Sequence, residues 1–155
     1  YRRAGLVAVD LAAFLRGLGG AGSGGGTGGG QSAPRYHIRA PIMAVGPDTA
    51  ILLGLIVTEA VSIALTHDFS KAATPEIRIE TSERGEEVQL VIEDNGVARD
   101  AGAPIPDGKG GFALTLIRGL AMQLGGEVTI ERKTEGGNRV VVVFPTPAAV
   151  EPLNA

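Results

Sequence analysis

The chain has 155 residues, enough for one domain with a buried core. Hydrophobic residues make up 44% and charged residues 20%, a globular balance, and a net charge of −3 offers no basic surface for nucleic acid or an anionic membrane. The absence of cysteine excludes disulfides, thiolate zinc sites and a cysteine nucleophile, and two histidines, His37 and His67, are too few for a histidine-rich metal site.

No apolar run is read as long enough to span a bilayer, and no segment has the form of a signal peptide. The expectation is therefore a cytoplasmic location without membrane contact. The chain starts at Tyr1 rather than Met, so it is read as a piece of something longer.

Residues 6–18 read as a short amphipathic helix, capped by Asp10, with Leu11, Phe14, Leu15 and Leu18 on one face. Residues 19–30 are nearly all glycine, which predicts a flexible surface loop. The segment lacks the Gly-Lys-Ser/Thr ending of a P-loop, and no strand precedes it. Residues 35–40 alternate as a strand, and Ile42-Met43-Ala44-Val45, between Pro41 and Pro47, reads as a second short one.

Asp48 is then read as the cap of a long helix over 49–69. Leu53, Ile56, Val57, Ala60, Val61, Ala64 and Leu65 form its apolar stripe. Glu59, Ile63, Thr66 and His67 follow at i, i+4, i+7 and i+8, a flank suited to face a pocket. Residues 77–81 and 87–93 predict an antiparallel hairpin turning at Arg84-Gly85 and ending on Asp94-Asn95-Gly96. A carboxylate at a strand end beside a glycine can set one hydrogen-bond acceptor at a pocket floor; taken alone it is also an ordinary turn.

Residues 97–111 hold four glycines and two prolines and read as a long loop, of the kind kept for function. Residues 112–124 predict a second helix with Leu116, Ile117, Leu120 and Leu124 on one side, stopped by Gly125-Gly126. Residues 128–132 and 139–144 form a last hairpin across Glu135-Gly136-Gly137-Asn138, and a Pro/Ala-rich tail closes the chain. This order predicts an α/β (α+β) two-layer sandwich, with a mixed, mostly antiparallel sheet and its helices on one face.

Several of these stretches together resemble the ATP-binding catalytic domain of sensor histidine kinases, in the GHKL (Bergerat-fold) superfamily, and within it the HWE/HisKA_2 group. Tyr1-Arg2-Arg3 through Val9-Asp10-Leu11-Ala12-Ala13-Phe14-Leu15 is similar to the segment after that group's dimerisation hairpin. Leu55-Ile56-Val57-Thr58-Glu59-Ala60-Val61-Ser62-Ile63-Ala64-Leu65-Thr66-His67 resembles the N box, and Val91-Ile92-Glu93-Asp94-Asn95-Gly96 the Asp-x-Gly-x-Gly box. Residues 108–126, ending Leu124-Gly125-Gly126, resemble the hinge of the ATP lid, its helix and the following turn.

The resemblance implies roles. Asp94 would accept a hydrogen bond from the adenine amino group, and Gly96 would let the backbone approach the base. Residues 97–111 would be the lid, with Gly110, Gly111 and Lys109 at the phosphates and Leu114 in the first turn behind them. His67 would be the remaining basic residue near the phosphates, and Glu59 would position the attacking group. The implied ligands are ATP and Mg²⁺. The implied partners are the His-bearing dimerisation hairpin of the same protein and a response regulator, without nucleic acid or membrane.

The implied layout is a connector helix over 1–18 packed on the domain, a Gly-rich loop over 19–34, the ATP-binding domain over 35–146 and a tail over 147–155. The departures fall on the chemistry. Ile63 stands where the family's magnesium-ligating Asn belongs, and a hydrocarbon cannot ligate a hard cation. Thr66 replaces a basic residue, and Ala98 and Ala113 replace motif glycines.

Three readings follow. The first is a histidine kinase domain that transfers the γ-phosphate of ATP to a histidine on a separate hairpin, impaired by Ile63. The second is a degenerate kinase-like binding or phosphotransfer module that handles ATP weakly or not at all and contacts a response regulator. The third is an unrelated two-layer domain in which Asp94-Asn95-Gly96 is only a turn.

Overall fold

The computed structural model describes residues 7–10, 13, 33–97, 112–133 and 136–146. Five strands form the main sheet: β2 (Arg35–Arg39), β4 (Glu76–Arg84), β5 (Glu87–Asp94), β6 (Glu127–Arg132) and β7 (Asn138–Pro145). Their order is β2-β4-β5-β7-β6. β2 runs parallel to β4, and the other neighbours are antiparallel. Helices α1 (Pro47–Leu65) and α2 (Phe112–Gln123) pack on each other, α1 against β5 and α2 against β6 and β7. This is the expected two-layer sandwich with a mixed, mostly antiparallel sheet.

Strand alternation sorts the core. Ile77, Ile79, Val88, Leu90, Ile92, Val140, Val142 and Phe144 point to the helices and are buried, while their neighbours in sequence face away. From α1 come Leu53, Ile56, Val57, Ala60, Val61 and Ala64, and from α2 Ile117, Leu120 and Ala121. Leu65, expected in the same stripe, is instead exposed, because the helix ends there.

Three sequence expectations change at helix boundaries. Val7–Val9 is a strand, β1, not the start of a helix. It pairs antiparallel with β3 (Met43–Val45), Val7 opposite Val45 and Val9 opposite Met43, so two short apolar runs far apart in sequence form one ladder. Asp10 nevertheless caps, since its Oδ1 accepts the Ala13 N–H at 3.0 Å. The remaining residues of that expected helix, and the 19–30 loop, lie outside the described residues.

The N-cap of α1 is Gly46 rather than Asp48, with no side-chain cap. Pro47 suits the first helical position, where its missing N–H costs nothing, and Asp48 faces the positive helix end from within the first turn. α1 also stops at Leu65, not near 69. The Thr66 N–H donates to Ile63 O and the His67 N–H to Ala64 O, which tightens the last turn.

α1 corrects a further expectation. At 19 residues and a mean hydropathy of 1.8 it is long and apolar enough to cross a bilayer by length and composition. Its buried stripe is pressed against the sheet, which accounts for that composition without a membrane.

Thr81 lies on the helix-facing side of β4, and among the described residues its Oγ1 is buried without a hydrogen-bond partner. A buried hydroxyl without a partner is destabilising, so Thr81→Val, of matching shape, should raise stability by about 1 kcal/mol. Urea unfolding checks this, and an unchanged or lower midpoint would mean that the hydroxyl has a partner.

Candidate functional site

The inward row of β5 is Val88, Leu90, Ile92 and then Asp94. The alternation that buries three apolar side chains therefore carries a carboxylate to the same side, 3% exposed. The inward row of β7 begins with Asn138, ahead of Val140, Val142 and Phe144. Glu93 is paired with Arg139, and the same antiparallel register carried one residue further sets Asn138 opposite Asp94 on the helix-facing side. The third member comes from beyond the end of α1. It is His67, 7% exposed.

A buried carboxylate needs donors, and three chain segments supply them. Nδ1 of His67 lies 2.8 Å from Oδ1 of Asp94. The Gly96 N–H donates to the same oxygen at 3.0 Å, and the Asn138 N–H approaches Oδ2 at 3.4 Å. The Asn138 side-chain amide reaches Nε2 of His67 at 3.5 Å. One neutral tautomer satisfies both contacts: Nδ1–H donates to Asp94 and Nε2 accepts from Asn138, an assignment made from the network.

The backbone fixes these groups. The N–H groups of Asp68 and Val97 each donate to the other's carbonyl at 2.8 Å, tying the exit of α1 to the exit of β5. Asn95 holds the opposite side. Its Oδ1 accepts the Glu76 N–H at 2.8 Å, and its Nδ2 donates to Thr74 O at 2.7 Å. Asp94-Asn95-Gly96 is thus a junction of three segments and not a hairpin turn.

Two glycines are required by contact. A side chain at Gly96 would come 2.8 Å from Cβ of His67 and 3.1 Å from the ring of Phe69. At Gly137, with φ +85°, it would overlap the carbonyl oxygen of Asp94.

The remaining residues singled out from the sequence are placed as follows. Glu59 is half-buried on α1. Ile63, one turn on, packs against the core. Thr66 is exposed at the C-cap. His67 does not continue the Glu59 flank; with the helix ended, its ring turns to Asp94. Leu114 is buried in the first turn of α2. Lys109, Gly110, Gly111 and Ala98 lie outside the described residues. Asn138, Gly137 and Phe69 were missed from sequence. For Asn138 a signal existed, because the β7 alternation extended back two residues puts a polar side chain on the inward row.

The opposite face of the sheet has another character. Glu93, adjacent to Asp94, points outward and meets Arg139 at 2.9 Å, Arg78 at 3.7 Å and Lys133 at 3.9 Å. The hydrogen bond and charge of Glu93 hold the Arg139 guanidinium above its ordinary range. These groups line a shallow polar cavity of about 320 Å³ with Glu76, Asn95 and Asp94, whose strand end borders it.

A family model described as "Histidine kinase-, DNA gyrase B-, and HSP90-like ATPase" matches residues 48–148, from the first turn of α1 to just past β7. The chain belongs to this family. Its ATP-binding domain fold, with Asp94 ending the central strand, is the GHKL histidine kinase type that the motifs resemble.

The chain is 29% identical over 119 residues to blue-light-activated histidine kinase 2 of Erythrobacter litoralis (strain HTCC2594), a match over 76% of this chain and 33% of that protein. It superimposes on the Erythrobacter litoralis EL346 blue-light activated histidine kinase with a TM-score of 0.66 and 25% identity, over 88% of this chain and 41% of the other. It also superimposes on the mycobacterial sensor histidine kinase MprB, with a TM-score of 0.63 over 90% of this chain and 97% of the other; at 14% identity that likeness concerns the fold alone. The chain spans about a third of the curated relative's length.

Gly137→Ala should cost more than about 2 kcal/mol, since left-handed strain adds to overlap with the Asp94 backbone. Gly136→Ala, strained at φ +104° but with its nearest neighbours at 3.5 Å, should cost about half as much. Denaturant titration of the two variants separates strain from overlap, and equal losses would remove the contact with Asp94.

Proposed function

We propose that this chain is the ATP-binding catalytic domain of an HWE/HisKA_2-like sensor histidine kinase, in which adenine recognition is kept and metal-dependent phosphotransfer is weakened. The observation that carries the reading is the Asp94 carboxylate. It is buried at the end of the central strand, and among the described residues its Oδ2 has one long backbone contact, 3.4 Å from the Asn138 N–H. An acceptor with spare capacity in a dry site suits the amino group of adenine.

The residues do not suit magnesium. Ile63 fills the ligand position with hydrocarbon packed on the core, and among the described residues no group of three or more His, Asp or Glu could hold a metal. No step is therefore drawn through the metal. Glu59 positions the attacking group, and Lys109, Gly110 and Gly111 serve the phosphates from the lid.

The phosphate acceptor is a histidine on a dimerisation hairpin of the same protein, with a response regulator as the later partner. The segment over 1–18 connects that hairpin to the domain, the Gly-rich loop spans 19–34, the ATP-binding unit 35–146 and the tail 147–155. The setting is cytoplasmic.

Calorimetry tests this directly. The chain should bind ATP weakly and equally with and without Mg²⁺. Tight, Mg²⁺-dependent binding would overturn the impairment. Ile63→Asn should tighten Mg·ATP by roughly tenfold, or about 1.4 kcal/mol, while leaving metal-free binding unchanged. Asp94→Asn should abolish adenine binding, and an unaltered affinity would remove Asp94 from base recognition.

A further inference from the structure

The four hydrogen-bonding positions of Asp94 are unequally used. A carboxylate has two oxygens with two lone pairs each. Oδ1 is filled, by His67 Nδ1 at 2.8 Å and the Gly96 N–H at 3.0 Å. Among the described residues, Oδ2 has the single 3.4 Å approach of the Asn138 N–H. The short contacts gather on one oxygen, and spare acceptor capacity is left on the other.

The donor that imposes this asymmetry is itself held. The His67 N–H is bonded to Ala64 O at 3.1 Å, and the next residue is bridged twice to Val97. Its Cβ lies against Gly96 so closely that no side chain fits there. The far ring nitrogen meets the Asn138 amide, so the imidazole at the α1 exit is held between the end of β5 and the start of β7.

We propose that His67 is a positioning residue for base selectivity: its Nδ1–H fixes Oδ1 of Asp94 and leaves Oδ2 as the acceptor for a 6-amino purine. The inference rests on the reading of Asp94 as the base-recognising group. Adenine presents an N–H donor at its 6-position, whereas hypoxanthine presents a carbonyl oxygen, which a carboxylate repels. Discrimination needs a carboxylate that cannot rotate away. Without His67 this buried carboxylate would lack its shortest donor and be free to turn. His67 touches Asp94 and not the nucleotide, so its effect is expressed as selectivity rather than as a contact of its own.

The test compares ADP with IDP, whose base is hypoxanthine, in metal-free calorimetry on the intact chain. The unaltered protein should prefer ADP by roughly tenfold or more, as expected when a site built for a hydrogen bond rejects an analogue lacking it. His67→Phe, which keeps a ring and removes the donor, should lose most of that preference. His67→Asn, whose amide nitrogen can stand near the Nδ1 position, should retain it.

A preference that survives His67→Phe overturns the inference alone and leaves His67 as a purely structural residue. Tighter ADP binding by His67→Phe also overturns it, because the imidazole would then compete with the base for Asp94. No preference in the unaltered protein overturns the reading of Asp94 and this inference together. Should His67→Phe not fold, the unaltered protein decides: ADP must shift the His67 Nδ1–H resonance in ¹H–¹⁵N spectra more than IDP does, and equal shifts overturn the proposal.

Discussion

The local structure around the end of β5 follows from the burial of one carboxylate. Asp94 takes the fourth inward position on a strand whose other three are hydrocarbon. An ionised group there is tolerated only with donors at hand. Those donors come from the exit of α1, from the residue two beyond Asp94, and from the first residue of β7. Each must approach closely, which explains glycine at positions 96 and 137, where any side chain would strike His67 or Asp94 itself. The glycines and the carboxylate are one requirement seen at three places in the sequence.

The sheet was legible because alternation is a local signal with a large energetic cause. A one-residue slip in β5 would expose Val88, Leu90 and Ile92 together. Both hairpins and the buried stripe of α1 were readable for the same reason. The end of α1 was not. Thr66, His67 and Asp68 continue a helical pattern, and what stops it is the backbone bridge from Asp68 to Val97, a contact with a residue 29 positions on that no local window contains. β1 was misread likewise: Val7–Val9 is helix-compatible by pattern and becomes a strand because Met43–Val45 offers it an edge. Motif resemblance singled out Asp94, Gly96 and His67, but it set His67 beside the phosphates and on the Glu59 flank, whereas its ring turns to Asp94. Asn138 was hidden because Gly-Gly-Asn reads first as a turn.

Glu93 and Asp94 show how the period of two divides chemistry as well as packing. Consecutive carboxylates emerge on opposite faces. Glu93 is ringed by Arg139, Arg78 and Lys133 in partial contact with water, where such pairs contribute little. Among the described residues, Asp94 has no cation within ion-pairing distance other than a histidine whose neutral tautomer fits its contacts. The distinction matters for recognition. A carboxylate neutralised by guanidinium has its oxygens committed to charged donors, whereas one held by neutral N–H groups keeps its negative potential for a further donor. The two adjacent carboxylates of β5 therefore differ in kind, one committed to cations and the other held by N–H groups.

The Asp94 cluster and position 63 are separable because they sit on different elements. Asp94 depends on β5, β7 and the exit of α1, while position 63 lies within α1 itself, in its last turn. Ile63 is not an idle replacement, since it is partly buried and packed against the core. Exchanging it for an amide removes apolar contact and introduces a polar group that needs partners in a half-dry position, a cost on the order of 1–3 kcal/mol unless something satisfies it. A bound cation would be one such partner. The side chain at 63 therefore links stability to ligand: hydrocarbon favours the fold by itself, whereas an amide would favour it only with a partner bound. That linkage can change without moving any atom of the Asp94 cluster, because the two positions share no hydrogen bond among the described residues.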